Sequence, residues 1–157
     1  ARVEGMEAGY QQQFTFLPGA WSGLGLFANY TQLTTQGDYG ARGTVQTTDT
    51  LPGFTPSAAN VGLSYIRGKW NLRVAYGMAG EILMAYNAAP NLRRYRVASH
   101  RVELKLNYRL SRRYDIYLDA YNLTNDKQRE VWGVHDRPRT ILDRNDPQIH
   151  FGLNGRL

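Results

Sequence analysis

Arg101-Val102-Glu103-Leu104-Lys105-Leu106-Asn107-Tyr108 alternates charged or amide side chains with apolar or aromatic ones, without a break. Successive side chains of an extended strand point to opposite faces, so this octet presents one wet stripe and one oily stripe. A helix would scatter both kinds around its circumference. The same period of two recurs on either side of it. Upstream, Trp70, Leu72, Val74, Tyr76 and Met78 oppose Asn71, Arg73, Ala75 and Gly77, after a turn at Arg67-Gly68-Lys69 that follows Val61, Leu63 and Tyr65. Downstream, the turn Ser111-Arg112-Arg113 leads to a strand from Tyr114 to about Tyr121. Ile149, Phe151, Leu153 and Leu157 then alternate with His150, Gly152, Asn154 and Arg156.

Two further strands open the chain. Met6, Ala8, Tyr10, Phe14 and Phe16, interrupted by Gln12, share a face opposite Val3, Gly5, Glu7, Gly9, Gln11 and Gln13. Beyond Leu17-Pro18-Gly19-Ala20, Leu24, Leu26, Ala28 and Tyr30 alternate with Gly25, Phe27, Asn29 and Thr31, where Phe27 is the one exception. The reading is seven antiparallel strands and no helix.

The connections between them are unequal. Three are tight turns, while 34–56, 80–98 and 125–147 are long, and short and long alternate strictly. Compact soluble domains seldom carry loops beyond about 12–15 residues without structure of their own. Membrane β-barrels carry short turns at one rim and long loops at the other. Aromatic residues flank each short turn, Phe16 with Trp21, Tyr65 with Trp70, and Tyr108 with Tyr114, as an interfacial girdle would. Strand-end aromatics of a soluble sheet would read the same way, and the loop asymmetry is what favours the girdle.

Composition agrees. The 157 residues are 42% hydrophobic and 20% charged, with 11 Tyr, 5 Phe, 3 Trp and 16 Gly, a mixture suited to strands between apolar and wet surroundings. No run approaches the roughly 18 apolar residues of a membrane-spanning helix. Ala1-Arg2-Val3-Glu4 lacks the apolar core of a signal peptide, so any export signal is expected outside this stretch. With no Cys there is no disulfide framework, thiolate nucleophile or cysteine zinc site. The net charge of +6 does not by itself choose among nucleic acid, an anionic membrane surface and a soluble basic protein.

A sheet in hydrocarbon must close, because each unpaired backbone group at an edge costs several kcal/mol. Bacterial single-chain barrels begin at about eight strands and use even numbers. Seven strands are therefore expected to be the C-terminal part of a larger barrel.

Several motifs carry a resemblance. Tyr117-Leu118-Asp119-Ala120-Tyr121-Asn122-Leu123-Thr124-Asn125, then a long polar loop and Phe151-Gly152-Leu153-Asn154-Gly155-Arg156-Leu157, resembles the C-terminal end of TonB-dependent outer-membrane receptors. Val3-Glu4-Gly5-Met6-Glu7 is similar to that family's Val-x-Gly-x-Glu strand. Phe54-Thr55-Pro56-Ser57-Ala58-Ala59-Asn60 before Val61-Gly62-Leu63-Ser64-Tyr65 resembles its passage from loop to strand. The likeness runs along nearly the whole chain, and it departs at Leu157, where the family usually ends in an aromatic residue.

The resemblance implies an antiparallel transmembrane barrel of about 22 strands around an N-terminal plug. It implies a place in the outer membrane of a Gram-negative bacterium, and uptake of a siderophore, cobalamin or oligosaccharide. The implied partners are outer-membrane lipid, the remaining strands and plug, and TonB through a region not in this stretch. No cofactor, metal, nucleic-acid partner or enzymatic activity is implied.

Candidate functional residues fall into two groups. Arg73, Arg101, Glu103 and Lys105 are expected to face the lumen, guiding an anionic ligand, holding the plug, or simply making the wall wettable. On the long loops, Tyr39, Tyr86, Arg93, Arg94, Tyr95, Trp132 and His135 combine stacking surface with cationic donors, a chemistry suited to sugars or catecholate-like chelates. His100, His135 and His150 are too scattered for a metal motif, and no Gly-x-Ser-x-Gly elbow or close carboxylate pair suggests catalysis. The sequons at Asn29 and Asn122 are set aside as chance matches on strands. The competing reading is a soluble antiparallel barrel or sandwich that binds a small ligand, or single-stranded nucleic acid on aromatic platforms. It demands a polar exterior.

Overall fold

A computed structural model describes residues 1–40, 48–133, 139–144 and 146–155. Its strands are β1 (Arg2–Gln13), β2 (Leu24–Asp38), β3 (Thr48–Asp49), β4 (Ser57–Arg67), β5 (Trp70–Ala79), β6 (Ile82–Ala85), β7 (Arg94–Arg96), β8 (Ser99–Arg109), β9 (Tyr114–Tyr121), β10 (Gln128–Trp132), β11 (Arg139–Arg144) and β12 (Gln148–Gly155). Short 3-10 turns lie at Gly19–Gly23 and Pro90–Leu92. The chain is all-β. The seven strands read from the sequence are β1, β2, β4, β5, β8, β9 and β12, and they form one antiparallel meander in that order. The meander is open, with β1 and β12 at its edges.

Register is what separates the two faces. Leu26, Leu63, Val74, Leu104, Ala120 and Ile149 stand opposite one another in succession across six strands. One residue along, Gln13, Gly25, Ser64, Arg73, Lys105, Asp119 and His150 make an unbroken polar row on the other side. A slip of one residue in any pair would mix the rows. Neither face is covered. Among the described residues no large side chain is fully buried, and Met6, Leu63 and Phe151 are 67%, 55% and 80% exposed. From Trp70 to Met78 the oily stripe of β5 runs about 27 Å at roughly 3.4 Å per residue, close to the ~25 Å apolar band of a membrane barrel.

The long connections differ from the expectation of plain loops. β2 continues to Asp38, paired with β1 and then with β3, through a Thr- and Gln-rich stretch that shows no apolar alternation. Segments 80–98 and 125–147 contribute β6, β7, β10 and β11, a second sheet ordered β11-β10-β7-β6. That order repeats β12-β9-β8-β5, so the second sheet continues the wall past an interruption. Its apolar row is short: Leu83, Tyr95 and Val131 stand opposite one another, with Leu83 and Val131 buried.

The interruption after β9 is built by Asn122. Asn122 and Asn125 take positive φ of 53° and 52°, a conformation Asn tolerates better than most residues. The Asn122 side chain, 3% exposed as a residue, accepts from the Asp126 amide and donates to the Asp126 carbonyl, both at 3.0 Å. Around it, Leu123 N–H donates to the Val102 carbonyl, Thr124 Oγ1 to the His100 carbonyl, and His100 N–H to Asp126 Oδ2. These bonds take the place of the missing ladder on β8. Asn122→Ala is therefore expected to cost about 1–3 kcal/mol, the penalty for leaving buried partners unpaired. Asn122→Gly should cost less, since Gly keeps the backbone geometry. Urea unfolding in detergent micelles measures both, and midpoints identical to wild type would remove this turn from the account.

Candidate functional site

The polar face is the concave one, since hollows of about 1060 and 590 Å³ lie against it. Arg73, Arg101, Glu103 and Lys105 all line the smaller hollow, so the structure brings the expected lumen residues together. Phe27, the exception in the alternation, also points into this face. Its ring lies over Gly62, where an added Cβ would meet the Phe27 ring at 2.3 Å and the Val74 carbonyl at 2.5 Å. The Arg73 guanidinium caps that ring at 4.0 Å from its centroid. An aromatic on a polar face is thus accommodated by a glycine beneath it and a cation above it. Gly152 lies beneath the Tyr117 ring in the same way, with that ring 2.7 Å from an added Cβ.

The loop residues converge more closely than their sequence separation suggests. Tyr39, just past β2, stacks on Tyr86, just past β6, with centroids 3.7 Å apart and planes 8° from parallel. Arg93 lies on the other ring contact, 5.0 Å from the Tyr86 centroid. It pairs with Asp49 of β3 at 2.7 Å and donates to the Asn87 carbonyl at 2.9 Å. Tyr39 donates to the Thr50 carbonyl at 2.8 Å. Four side chains from the first two long connections therefore make one joint. Asp49 is the member that sequence reasoning missed, because nothing local marks a carboxylate that will meet a cation 44 positions away.

The third connection joins through β7 and β10. Arg94 stands opposite Trp132, Tyr95 opposite Val131, and Arg96 opposite Glu130. Glu130, 6% exposed, receives Arg96 at 3.1 Å, while Arg94 approaches at 3.7 Å as an ion pair too long for a hydrogen bond. Trp132 is 40% exposed. Of the seven loop candidates, Tyr39, Tyr86 and Arg93 share the joint, Arg94, Tyr95 and Trp132 lie on the adjoining sheet, and His135 lies outside the described residues. Glu130 was also missed. Its burial arises only once β10 is the middle partner of β7 and β11.

Electrostatics tighten the joint. Burial pushes the Tyr39 phenol above its ordinary value of 10.0, and the carboxylate of Asp49 adds to the rise. For Arg93, burial works against the charge, but its hydrogen bond with Tyr95 and its pairing with Asp49 prevail and hold it above its ordinary value. Among the described residues, no group of three or more potential ligands is placed to hold a metal ion.

An antiparallel meander with one oily and one hydrophilic face is the wall pattern of a β-barrel. The chain belongs to the family described as TonB dependent receptor-like, beta-barrel, which it matches over residues 1–123. The match ends inside the Asn122 turn, so β10, β11 and β12 lie beyond it. No curated protein and no solved structure gives a significant match. The family is one of outer-membrane transport receptors, not of enzymes.

The raised Tyr39 value fixes a pH dependence. The folded state holds the phenol proton more tightly, so this contribution to stability is fully present below about pH 10 and fades as pH climbs through the raised value. Ultraviolet difference titration should show a phenol ionising above the ordinary range, absent in Tyr39→Phe and moved down in Asp49→Asn. An unchanged curve in both variants would dissolve the link.

Proposed function

We propose that this chain supplies about seven strands of the wall of a larger outer-membrane barrel, of about 22 strands in such transporters. In this reading acyl chains bathe the oily face, the concave face lines an aqueous interior shared with a plug, and the long connections form part of an outward surface that captures a scarce nutrient. TonB acts through another part of the protein. The observation that carries the reading is the uncovered, in-register oily face: soluble monomers rarely expose contiguous apolar patches beyond a few hundred Å². The open edges β1 and β12 are where further strands would pair. The soluble reading needs the oily stripes to pack against each other, whereas among the described residues Met6, Leu63, Val74, Ile149 and Phe151 stay exposed, which supports the membrane reading.

Adjacent residues of β5 give the sharpest test. Val74→Arg puts a charge on the oily face and is expected to cost about 2–4 kcal/mol near the bilayer midplane. Ala75→Arg, one residue along and opposite Glu103, should be nearly neutral. Unfolding of the full-length protein from lipid vesicles measures both, and equal costs would defeat the face assignment. Recovery of the full-length protein in buffer without detergent would defeat the membrane reading itself.

For the nutrient, Trp132 offers an exposed ring, while Arg93 and Arg94 hold the loops that present it. Trp132→Ala is expected to weaken ligand binding without loosening the joint, and replacing Arg93 and Arg94 together with Ala to weaken it by releasing the loops. Uptake assays in cells read the loss, and protease susceptibility of the loops separates the two causes. Transport unchanged in both variants would take these residues off the recognition surface.

A further inference from the structure

Arg73 of β5 and Lys105 of β8 stand directly opposite one another on the concave face, an arrangement of like charges that destabilises a ladder unless something compensates it. Carboxylates are near at hand: Asp119 is the next residue in the same cross-strand row, and Glu103 lies two residues along β8. Neither forms a salt bridge with Arg73, Arg101 or Lys105 among the described residues. Instead Arg73 rests on Phe27, and the Lys105 ammonium lies 5.4 Å from the centroid of Tyr121. A ring face holds a cation in place without consuming its N–H donors, which stay available to an acceptor. Arg101, on the rim of the same hollow, has an Nε shielded from solvent and without a hydrogen-bond partner.

From this we propose that Arg73, Lys105 and Arg101 form a binding site for a small carboxylate- or phosphate-bearing anion on the concave face. The inference rests on the reading of that face as an aqueous interior. The hollow of about 590 Å³ falls within the range of small-ligand sites, roughly 300–1,000 Å³. An anion seated between Arg73 and Lys105 relieves their mutual repulsion and accepts charge-assisted hydrogen bonds from both. Glu103, on the same face, tempers the affinity by placing a negative charge beside the bound anion.

The test uses the full-length protein purified in detergent, with citrate and inorganic phosphate as probes in calorimetric titration. Wild type is expected to bind at least one of them, more weakly as sodium chloride is raised. Arg73→Gln with Lys105→Gln is expected to weaken that binding by about tenfold or more, and Glu103→Gln to strengthen it. Absence of binding in wild type overturns the site, as does an affinity that the double variant leaves unchanged. Heat-modifiable gel migration, run on every variant, reports a folded barrel. Binding lost in a protein that still migrates as a barrel concerns this site, whereas recovery without detergent concerns the membrane reading.

Discussion

Backbone pairing in a fixed register is the constraint on which everything else rests. Among the described residues the wall has no packed interior: its buried apolar residue is Ala120, and the other two, Leu83 and Val131, belong to the second sheet. What holds seven strands together is the ladder itself, with cross-strand side-chain contacts each adding a fraction of a kcal/mol, about 0.2–1 by the usual measure. Such a sheet gains its specificity from the alternation of faces. A slip of one residue would carry Arg73 and Lys105 to the oily side and Val74 and Leu104 to the polar side.

The same ladder explains how loops become part of the architecture. Strands that leave the apolar band no longer need alternating side chains, yet their backbone groups still need partners. β2 therefore runs on through Thr and Gln, and β6, β7, β10 and β11 keep the neighbour order of the strands they extend. Where pairing stops at the end of β9, the Asn122 turn supplies the bonds that β8 would otherwise lack. The Asn-Leu-Thr-Asn stretch singled out by resemblance thus has a local physical purpose: it lets the chain change direction without orphaning buried backbone groups.

Above that break, the β7–β10 ladder joins the second connection to the third, while side chains join the first to the second. The stacked pair Tyr39 and Tyr86, with Arg93 bridging to Asp49, ties the first connection to the second. Glu130 gathers Arg94 and Arg96 beside Trp132. Aromatic and cationic residues chosen from the sequence for ligand recognition are thereby also the residues that fix loop geometry. Below the break, Arg73 and Lys105 of the concave face form no salt bridge among the described residues and lean on aromatic rings instead. The loop cations Arg93, Arg94 and Arg96 are thus paired with carboxylates, while Arg73 and Lys105 face aromatic rings.

Alternation along the chain settled the strands, the two faces and the unequal turns, because the direction of a side chain in an extended segment depends only on its own position. Family membership was legible for a related reason: the motifs at Val3-Glu4-Gly5 and Phe54-Thr55-Pro56 are local, and residues 1–123 match. The five strands inside the long connections, β3, β6, β7, β10 and β11, were not legible, since their residues carry no period and their pairing depends on partners up to 38 residues away. Nor were Asp49, Glu130 or the place of Phe27 over Gly62. Glu130 and Phe27 owe their roles to residues that only the cross-strand register brings beside them, and Asp49 to an arginine that another connection brings to it; both are properties of two segments together, never of one read alone.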